Sequence, residues 1–269
     1  MSTLPLIFGA LVGFSLGLTG GGGALFAAPL LIYGLGVPPP DAVGISLITV
    51  GATSLVGLVQ RALRRQVEIP TGLLFAAAGM IVAPAGSWLA RRIPDTVLLG
   101  MFALLMLVIA IRMWMNASGH ANEFSAAVDD NSGPACQRDP LGTLKLTSDC
   151  ALLLAGIGIA TGLLTGLFGV GGGFIIVPAL VTFSSMGMQR AIGTSLLIVT
   201  LVSASGAASH LAAGKELPIA LAGIFILGSV AGLLLGSRLS RKFSGPILQK
   251  IFGAAIAFVA LYVLVRELG

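Results

Sequence analysis

Two glycine clusters are the residues of this chain whose type and spacing could do chemistry. Residues 20–23 are four consecutive glycines inside an apolar run, and residues 169–173 are glycine at every position except Val170. Where a helix resumes after such a break, its first N–H groups lack intrahelical partners and lie at the positive end of its dipole. Such an end binds anions, and glycine lets an anion approach the backbone closely. The clusters therefore predict anion binding at helix starts near Ala24 and Phe174; the alternative is close helix packing.

Hydroxyl side chains follow each cluster and could complete such a site. Ser46 and Thr49 lie in the apolar run after the first cluster, and Thr194 and Ser195 lie in the run after the second. A hydroxyl donates a hydrogen bond to an oxyanion without carrying a charge, which suits a ligand that must be released again. The alternative is a hydroxyl bonded within its own helix or to a neighbouring helix. For Ser46 and Ser195 both interpretations stay open.

Other chemistries find no support in the residues. No Asp or Glu lies inside an apolar run, so a carboxylate proton relay is absent, and no Gly-Lys-Ser/Thr follows the clusters as in a Walker A loop. Residues 203–206 with His210 only faintly resemble a Ser/His hydrolase, since Ser205 lacks the glycine two residues before it. We interpret His210 as a helix-end interfacial residue, and the alternative is a proton-linked group. We expect no enzyme, no catalytic residue, no metal and no cofactor.

The composition puts these residues in a membrane. Of 269 residues, 56% are apolar and only 9% are charged, against about a quarter charged in soluble domains. Apolar runs occupy about residues 4–35, 42–60, 70–90, 96–115, 150–186, 191–213, 217–237 and 247–265. Most match the roughly 20 residues that a helix needs to cross a bilayer. We expect an all-α, polytopic integral membrane protein that contacts lipid, with scattered basic residues that do not suit nucleic acid.

A polar stretch divides the runs into four and four. It includes Asp129, Asp130 and Asn131, cannot bury a core and is predicted to be a flexible linker. We therefore divide the chain into a first membrane repeat (1–115), a polar linker (116–149) and a second membrane repeat (150–269). Cys136 and Cys150 form no CxxC pair, and we expect them to be unpaired thiols.

The two halves are copies of each other. Shifting the sequence by 149 residues superposes 13–61 on 162–210 without a gap. Identical pairs include Gly13/Gly162, Gly17/Gly166, Gly20/Gly169, Gly22/Gly171, Gly23/Gly172, Pro29/Pro178, Gly44/Gly193 and Ser46/Ser195. Apolar composition produces chance matches of Leu and Ala, but not an ungapped register of Gly, Pro and Ser. The protein is therefore predicted to be an internal duplication.

Each copy is predicted to open with a broken helix. A continuous helix from Leu4 to Leu35 would be about 48 Å long, and each interior glycine costs roughly 1 kcal/mol relative to Ala. The two pieces either cross the membrane together or form a re-entrant hairpin, and their lengths alone leave both open. With either arrangement we expect about eight membrane helices.

The basic residues favour the re-entrant arrangement, in which the copies are inverted. One side then holds 11 basic residues: Arg61, Arg64, Arg65, Arg112, Arg138, Lys145, Arg190, Arg238, Arg241, Lys242 and Lys250. The other side holds four: Arg91, Arg92, Lys215 and Arg266. Eight crossings with parallel copies would divide the basic residues almost evenly. By the positive-inside rule, the linker is expected to be cytoplasmic and both termini extracytoplasmic.

At this point the motifs resemble a known family. Leu-Thr-Gly-Gly-Gly-Gly at 18–23 and Leu-Phe-Gly-Val-Gly-Gly-Gly at 167–173, each followed by a proline and by Ala-x-Gly-x-Ser, are similar to the TauE/SafE family of sulfite exporters. The resemblance covers both halves but not the linker, which is long for the family. The first copy departs with Gly21 for Val and Ala24 for Gly. The family implies a prokaryotic inner-membrane permease of about eight helices that moves sulfite or organosulfur anions.

Our primary hypothesis is a secondary transporter for a small oxyanion, working by alternating access between two halves. The predicted substrate-binding residues are Gly20, Gly21, Gly22, Gly23, Ala24, Ser46, Thr49, Gly169, Gly171, Gly172, Gly173, Phe174, Thr194 and Ser195. Pro29 and Pro178 are predicted to allow gating, although each is equally a structural kink. The alternatives are a passive anion channel and a membrane scaffold without substrate. A homo-oligomer stays open.

Overall fold

The computed structural model describes residues 3–117, 148–184, 186–212, 218–239, 254, 256–263 and 265. Most of the predicted linker, 116–149, lies outside the described residues. Within the described part, helices make up all regular structure and no strand is present. The predicted all-α class is therefore confirmed for this part of the chain.

Among the described residues, five helical elements lie in each half. In the first half they are α1 (Leu4–Thr19), α2 (Gly22–Gly34), α3 (Pro39–Ala62), α4 (Ile69–Ala90) and α5 (Asp95–Ala117). In the second half they are α6 (Ser148–Phe168), α7 (Gly173–Phe183), α8 (Met188–Ala212), α9 (Ile219–Leu239) and α10 (256–263). The elements of the second half come in the same order along the chain as those of the first half, so that α6 corresponds to α1 and α10 corresponds to α5.

Glycine and proline set the helix boundaries in the first half. Helix α1 ends where Gly20 adopts a left-handed conformation (φ 78°) and donates its N–H to the Leu16 carbonyl, the usual role of glycine at a helix C-terminus. Helix α3 begins with proline at its first positions, where a missing N–H costs nothing. Helix α2 is irregular, since a 3₁₀ turn, an α turn and a π turn follow one another along it.

Five of these helices are long and apolar enough to cross a membrane. Among the described residues they are Pro39–Ala62, Ile69–Ala90, Cys150–Phe168, Met188–Ala212 and Ala220–Leu239. The apolar windows of α3 and α8 are 67% buried, against 33% for α4 and 44% for α6 and α9. Helices α3 and α8 therefore form the centre of the bundle, and the others surround them. A polytopic membrane protein is the fold that this supports.

The central helices run antiparallel to each other. Gly57, near the end of α3, lies against Leu196 in the first half of α8, and Gly206, near the end of α8, lies against Leu47. At the level between these contacts, Gly51 lies against Ser203. Residue numbers rise along α3 as they fall along α8, so the two helices point in opposite directions.

The outer helices pack across the two halves, with glycine at each closest approach. Gly9, Gly13 and Gly17 of α1 lie against Phe225, Ser229 and Leu233 of α9. Gly158, Gly162 and Gly166 of α6 lie against Phe75, Gly79 and Ala83 of α4. In both pairs the numbers rise together, so the helices are parallel. Small residues let membrane helices approach closely, and here they bind each half to the other.

Each broken helix folds back on itself. Gly23 at the start of α2 lies against the backbone of Leu16 in α1, and Gly34 at the end of α2 lies against Phe8. In the second half, Gly172 lies against Thr161 and Thr165 of α6. Helices α1 and α2 therefore form an antiparallel hairpin with its tip at the first glycine cluster, and α6 and α7 turn at the second.

Cys150, near the start of α6, is disulfide-bonded. The expectation of two unpaired thiols is therefore wrong. Disulfides are rare in reducing cytoplasm, so this bond weighs against a cytoplasmic linker.

Candidate functional site

The tips of the two hairpins meet inside the bundle. A Cβ atom added at Gly21 would collide with the backbone of Gly173, and one added at Gly173 would collide with the backbone of Gly21. All predicted glycines of both clusters are buried, as are Ala24 and Phe174. The structure therefore brings together two clusters that are about 150 residues apart in the sequence.

Left-handed backbone conformations explain why glycine is required at several of these positions. Gly20, Gly169, Gly171 and Gly172 have φ values of 78°, 69°, 68° and 61°, where a side chain is strained. Gly21, by contrast, has an extended φ of 168°. Glycine at position 21 is explained by the close approach of Gly173 instead.

Ser46 and Ser195 fasten each hairpin to the central helix of the other half. Ser46 Oγ donates to the Gly169 carbonyl at 2.6 Å, and Ser195 Oγ donates to the Gly20 carbonyl at 2.7 Å. Both serines are fully buried. Ser46 thus directs its proton to a carbonyl at the last turn before a break. Ser195 shares its proton between such a carbonyl and the Ile192 carbonyl of its own helix, at 2.9 Å. This geometry matches the helix-to-helix interpretation of these serines, and their contact with a ligand stays a prediction.

The two predicted threonines lie in different surroundings. Thr49 on α3 is fully buried, and its hydroxyl has no hydrogen-bond partner among the described residues. Thr194 on α8 accepts a hydrogen bond from the Glu68 backbone N–H at 3.0 Å, and its methyl group lies near Gly72 of α4. The structure therefore directs the Thr194 hydroxyl to the start of α4 and not to the glycine clusters.

Further buried hydroxyls on the central helices were absent from the predicted set. Thr53 and Ser54 on α3 and Ser203 on α8 are buried, and their hydroxyls have no partner among the described residues. Ser203 lies beside Gly51 and Gly171. The sequence does contain a signal for these residues, because Ser54 and Ser203 are a matched pair at the repeat offset.

The two helix starts differ in how their backbone is satisfied. In the first half, the Gly22 N–H donates to Thr19 Oγ1 at 2.9 Å, and that hydroxyl donates to the Ser15 carbonyl at 2.9 Å. In the second half, α7 begins after Gly172 without a side-chain cap from any described residue, and Phe168 occupies the position equivalent to Thr19. The second helix start therefore keeps the geometry that suits an anion.

Comparison with known proteins decides the family. The family model described as sulfite exporter TauE/SafE matches residues 5–263, which is nearly the whole chain. The chain belongs to the TauE/SafE family. The resemblance noted from the two glycine motifs is thereby confirmed.

Curated relatives of this TauE/SafE chain are named as membrane transporters. A probable membrane transporter protein of Xylella fastidiosa strain 9a5c is 35% identical over 265 residues, which cover 96% of this chain and 93% of that protein. The probable membrane transporter protein YjnA of Bacillus subtilis is 28% identical and covers 95% and 97% of the two chains. One from Methanocaldococcus jannaschii is 26% identical and covers 97% and 95%. No solved structure matches the chain significantly.

These findings place the TauE/SafE chain among multi-pass membrane transporters and not among enzymes.

The described residues contain no group of three or more His, Cys, Asp or Glu that could hold a metal ion. Described charged groups lie toward the helix ends: Arg61 donates to Gln189 Oε1 at 3.0 Å, and Arg92 lies 4.0 Å from the Trp88 ring centroid.

The two predicted gating prolines occupy equivalent places after the breaks. Pro29 ends the short α turn of α2, directly before its π turn, and Pro178 lies inside α7. Neither proline can donate an N–H to the preceding turn. Both positions are therefore points of reduced hydrogen bonding in the returning arm of a hairpin.

Proposed function

We propose that this TauE/SafE protein is a secondary transporter in the inner membrane of a prokaryote. Its substrate is a small oxyanion, namely sulfite, a sulfonate or a related organosulfur anion, and it works by alternating access. The family description, sulfite exporter, supports the substrate class. The observation that carries the proposal is the meeting of two glycine-rich hairpin tips between the central helices.

The electrostatics of this centre suit an anion that binds reversibly. No Lys or Arg occurs between residues 4 and 60 or between 146 and 189, so both hairpins and nearly all of α3 are without basic residues. Backbone N–H groups and buried hydroxyls are the donors that remain. Neutral donors stabilise an oxyanion less strongly than an ion pair, which favours release on the other side of the membrane.

We further propose that the two halves are inverted repeats. The antiparallel course of α3 and α8 supports this, as do the reciprocal bonds of Ser46 and Ser195. Each half then contributes one re-entrant hairpin and three crossing helices, which gives eight membrane elements. Inverted repeats with broken helices that meet near the middle of the bilayer are typical of secondary transporters.

Alternating access then requires the hairpins to move against the central helices. Ser46 and Ser195 each join a hairpin of one half to the central helix of the other. A movement that opens one side must lengthen or break at least one of these bonds. The prolines in the returning arms provide bending points for this movement.

Flux into proteoliposomes tests the proposal. We expect saturable uptake of radiolabelled sulfite and counterflow when unlabelled sulfite or a sulfonate is loaded inside. Gly172→Leu, which strains a left-handed residue beside Thr161 and Thr165, should abolish flux. Gly156→Leu is the matched control, because nothing lies within 4 Å of a Cβ atom at that glycine. Non-saturating electrogenic flux would indicate a channel, and no flux with no binding would indicate a scaffold.

A further inference from the structure

We propose that the two helix starts are not equivalent and that the anion binds at the second one. Backbone N–H groups of Gly172, Gly173 and Phe174 and the hydroxyl of Ser203 would hold a single sulfite or sulfonate group. This inference rests on the proposed transport function and assigns its substrate to one half of the duplicated site.

In the first half, a side chain of the same half already accepts an N–H at the start of α2. Thr19 Oγ1 accepts the Gly22 N–H at 2.9 Å, and it is the atom nearest to a Cβ built at Gly22, at 3.0 Å. A threonine hydroxyl in this place acts as a permanent intramolecular substitute for an anion oxygen. An anion that binds to the Gly22 N–H must first displace that hydroxyl.

The second half lacks such a substitute. Phe168 stands where the first half has Thr19, and its ring packs against Phe102 with centroids 5.2 Å apart. Thr161 and Thr165 border Gly172 and donate to the helix carbonyls of Ile157 and Thr161, but neither hydroxyl accepts an N–H from Gly172, Gly173 or Phe174. The first hydrogen bonds of α7 run from Ile175 and Ile176 to the Gly172 carbonyl. The earlier N–H groups of α7 therefore remain for a ligand.

Ser203 provides an independent sign of a ligand at this start. Its side chain is fully buried, and its hydroxyl has no hydrogen-bond partner among the described residues. Its Oγ atom lies 3.4 Å from a Cβ position built at Gly171, so it adjoins the cluster that precedes α7. A buried hydroxyl without a partner is costly, and an oxyanion bound here would accept its proton.

The matched serine of the first half makes the inference testable. Ser54, the counterpart of Ser203, is also buried without a partner among the described residues. The neighbouring glycines differ, since Gly22 has Thr19 beside it, whereas Gly171 is left-handed and has Val50, Val199 and Ser203 beside it. If the anion bound symmetrically, Ser54 and Ser203 would contribute equally to binding. Our assignment predicts that Ser203 contributes more than Ser54.

Binding of sulfite and of methanesulfonate to the full-length protein in detergent is the test, measured by isothermal titration calorimetry. Ser203→Ala should raise Kd about tenfold or more, the usual loss for one hydrogen bond to a charged group. Ser54→Ala should change Kd less than about threefold. Equal losses, or a larger loss for Ser54→Ala, would overturn the assignment but leave transport intact. Absence of binding to the unsubstituted protein would overturn both.

A second pair of variants covers the case in which Ser203→Ala does not fold. Phe168→Thr introduces a capping hydroxyl at the second helix start and should weaken binding of both probes, while Ser203 is retained. Thr19→Val removes the cap of the first start and should leave Kd unchanged. An unchanged Kd for a folded Phe168→Thr protein, or a tighter Kd for Thr19→Val, contradicts binding at the second start.

Discussion

Single hydroxyls add to the glycine packing that holds the two halves together. Ser46 and Ser195 each satisfy a carbonyl that the end of a broken helix would leave without an intrahelical partner. In the dry interior of a bundle such carbonyls cannot turn to water. The same residue type at the same repeat position therefore does the same structural work twice, once from each half.

Removing either hydroxyl should destabilise the protein. We expect Ser46→Ala and Ser195→Ala each to lower the free energy of unfolding by about 1 kcal/mol. An average interhelical hydrogen bond in a membrane contributes somewhat less than this, and the carbonyl left without a donor adds a further penalty. Thermal unfolding in detergent measures the effect. Thr200→Val is the control, since the Thr200 hydroxyl donates to the Leu196 carbonyl of its own helix and joins no two helices. An equal loss for this control would contradict the special importance of the two buried bonds.

The contact of Gly21 with Gly173 should be equally sensitive. An added methyl group at either position meets the backbone of the other, so Gly21→Ala and Gly173→Ala should each cost about 1–3 kcal/mol of unfolding free energy. The double variant should cost less than the sum, because both changes separate the same two tips. Gly223→Ala has open space around it and controls for the loss of a glycine. Full additivity would indicate that the tips do not meet.

At the residue scale, the sequence indicates several residues of the site but not the groups to which they form hydrogen bonds. The repeat offset singled out the glycines and Ser46 with Ser195, because both copies retain them. It did not indicate that each serine bonds the opposite copy. Thr194 was grouped with Ser195 by proximity in sequence, but successive helix residues are about 100° apart around the axis. Their hydroxyls accordingly reach different neighbours, Glu68 and Gly20.

At the scale of elements, the glycine clusters predicted helix ends and the structure has ends there. Helix α1 ends at Thr19, and α7 begins at Gly173. Whether the second piece continues or turns back could not be read from the pattern, since an apolar piece of about 12 residues fits both. The contact of Gly34 with Phe8, which turns α2 back along α1, is a tertiary event. Apolar surfaces that face lipid and apolar surfaces that face other helices also look alike in sequence.

The prolines in the returning arms offer a prediction at this scale. Pro178→Ala restores an N–H that can donate to the Phe174 carbonyl, four residues earlier, and should stiffen α7. If bending there serves gating, turnover of sulfite in proteoliposomes should fall several-fold while the thermal midpoint stays the same or rises. Pro70→Ala is the control, because that proline lies in the first turn of α4, where no such bond is missing. Unchanged turnover with a lower midpoint would indicate a purely structural kink.

At the scale of the whole molecule, the two halves are interlocked: helices of one half pack between helices of the other, and the halves do not lie side by side. Helix α1 lies on α9, α6 lies on α4, and the central helices belong to different halves. The ungapped offset of glycines and prolines predicts a duplication, because such an offset is improbable by chance. The interlocked packing could not be predicted, since it depends on which glycine faces meet.

The relative positions of the linker and the C-terminus test the proposed inverted repeats directly. One re-entrant hairpin and three crossings per half put the linker and Gly269 on opposite sides of the membrane, whereas four crossings per half put them on the same side. Alkaline phosphatase and green fluorescent protein, fused after Gly269 and within residues 118–147, should therefore report opposite sides. Reports from the same side would exclude inverted halves.

The same fusions also decide the absolute orientation, on which two features of the chain disagree. The 11 basic residues assigned to the linker side predict a fluorescent, cytoplasmic linker. The disulfide of Cys150, directly after the predicted linker, fits an oxidising compartment. We expect the basic residues to prevail, because they act during membrane insertion, before a disulfide can form. The linker fusion should then fluoresce. A phosphatase-active linker would reverse the orientation and leave the inverted relation of the halves in place.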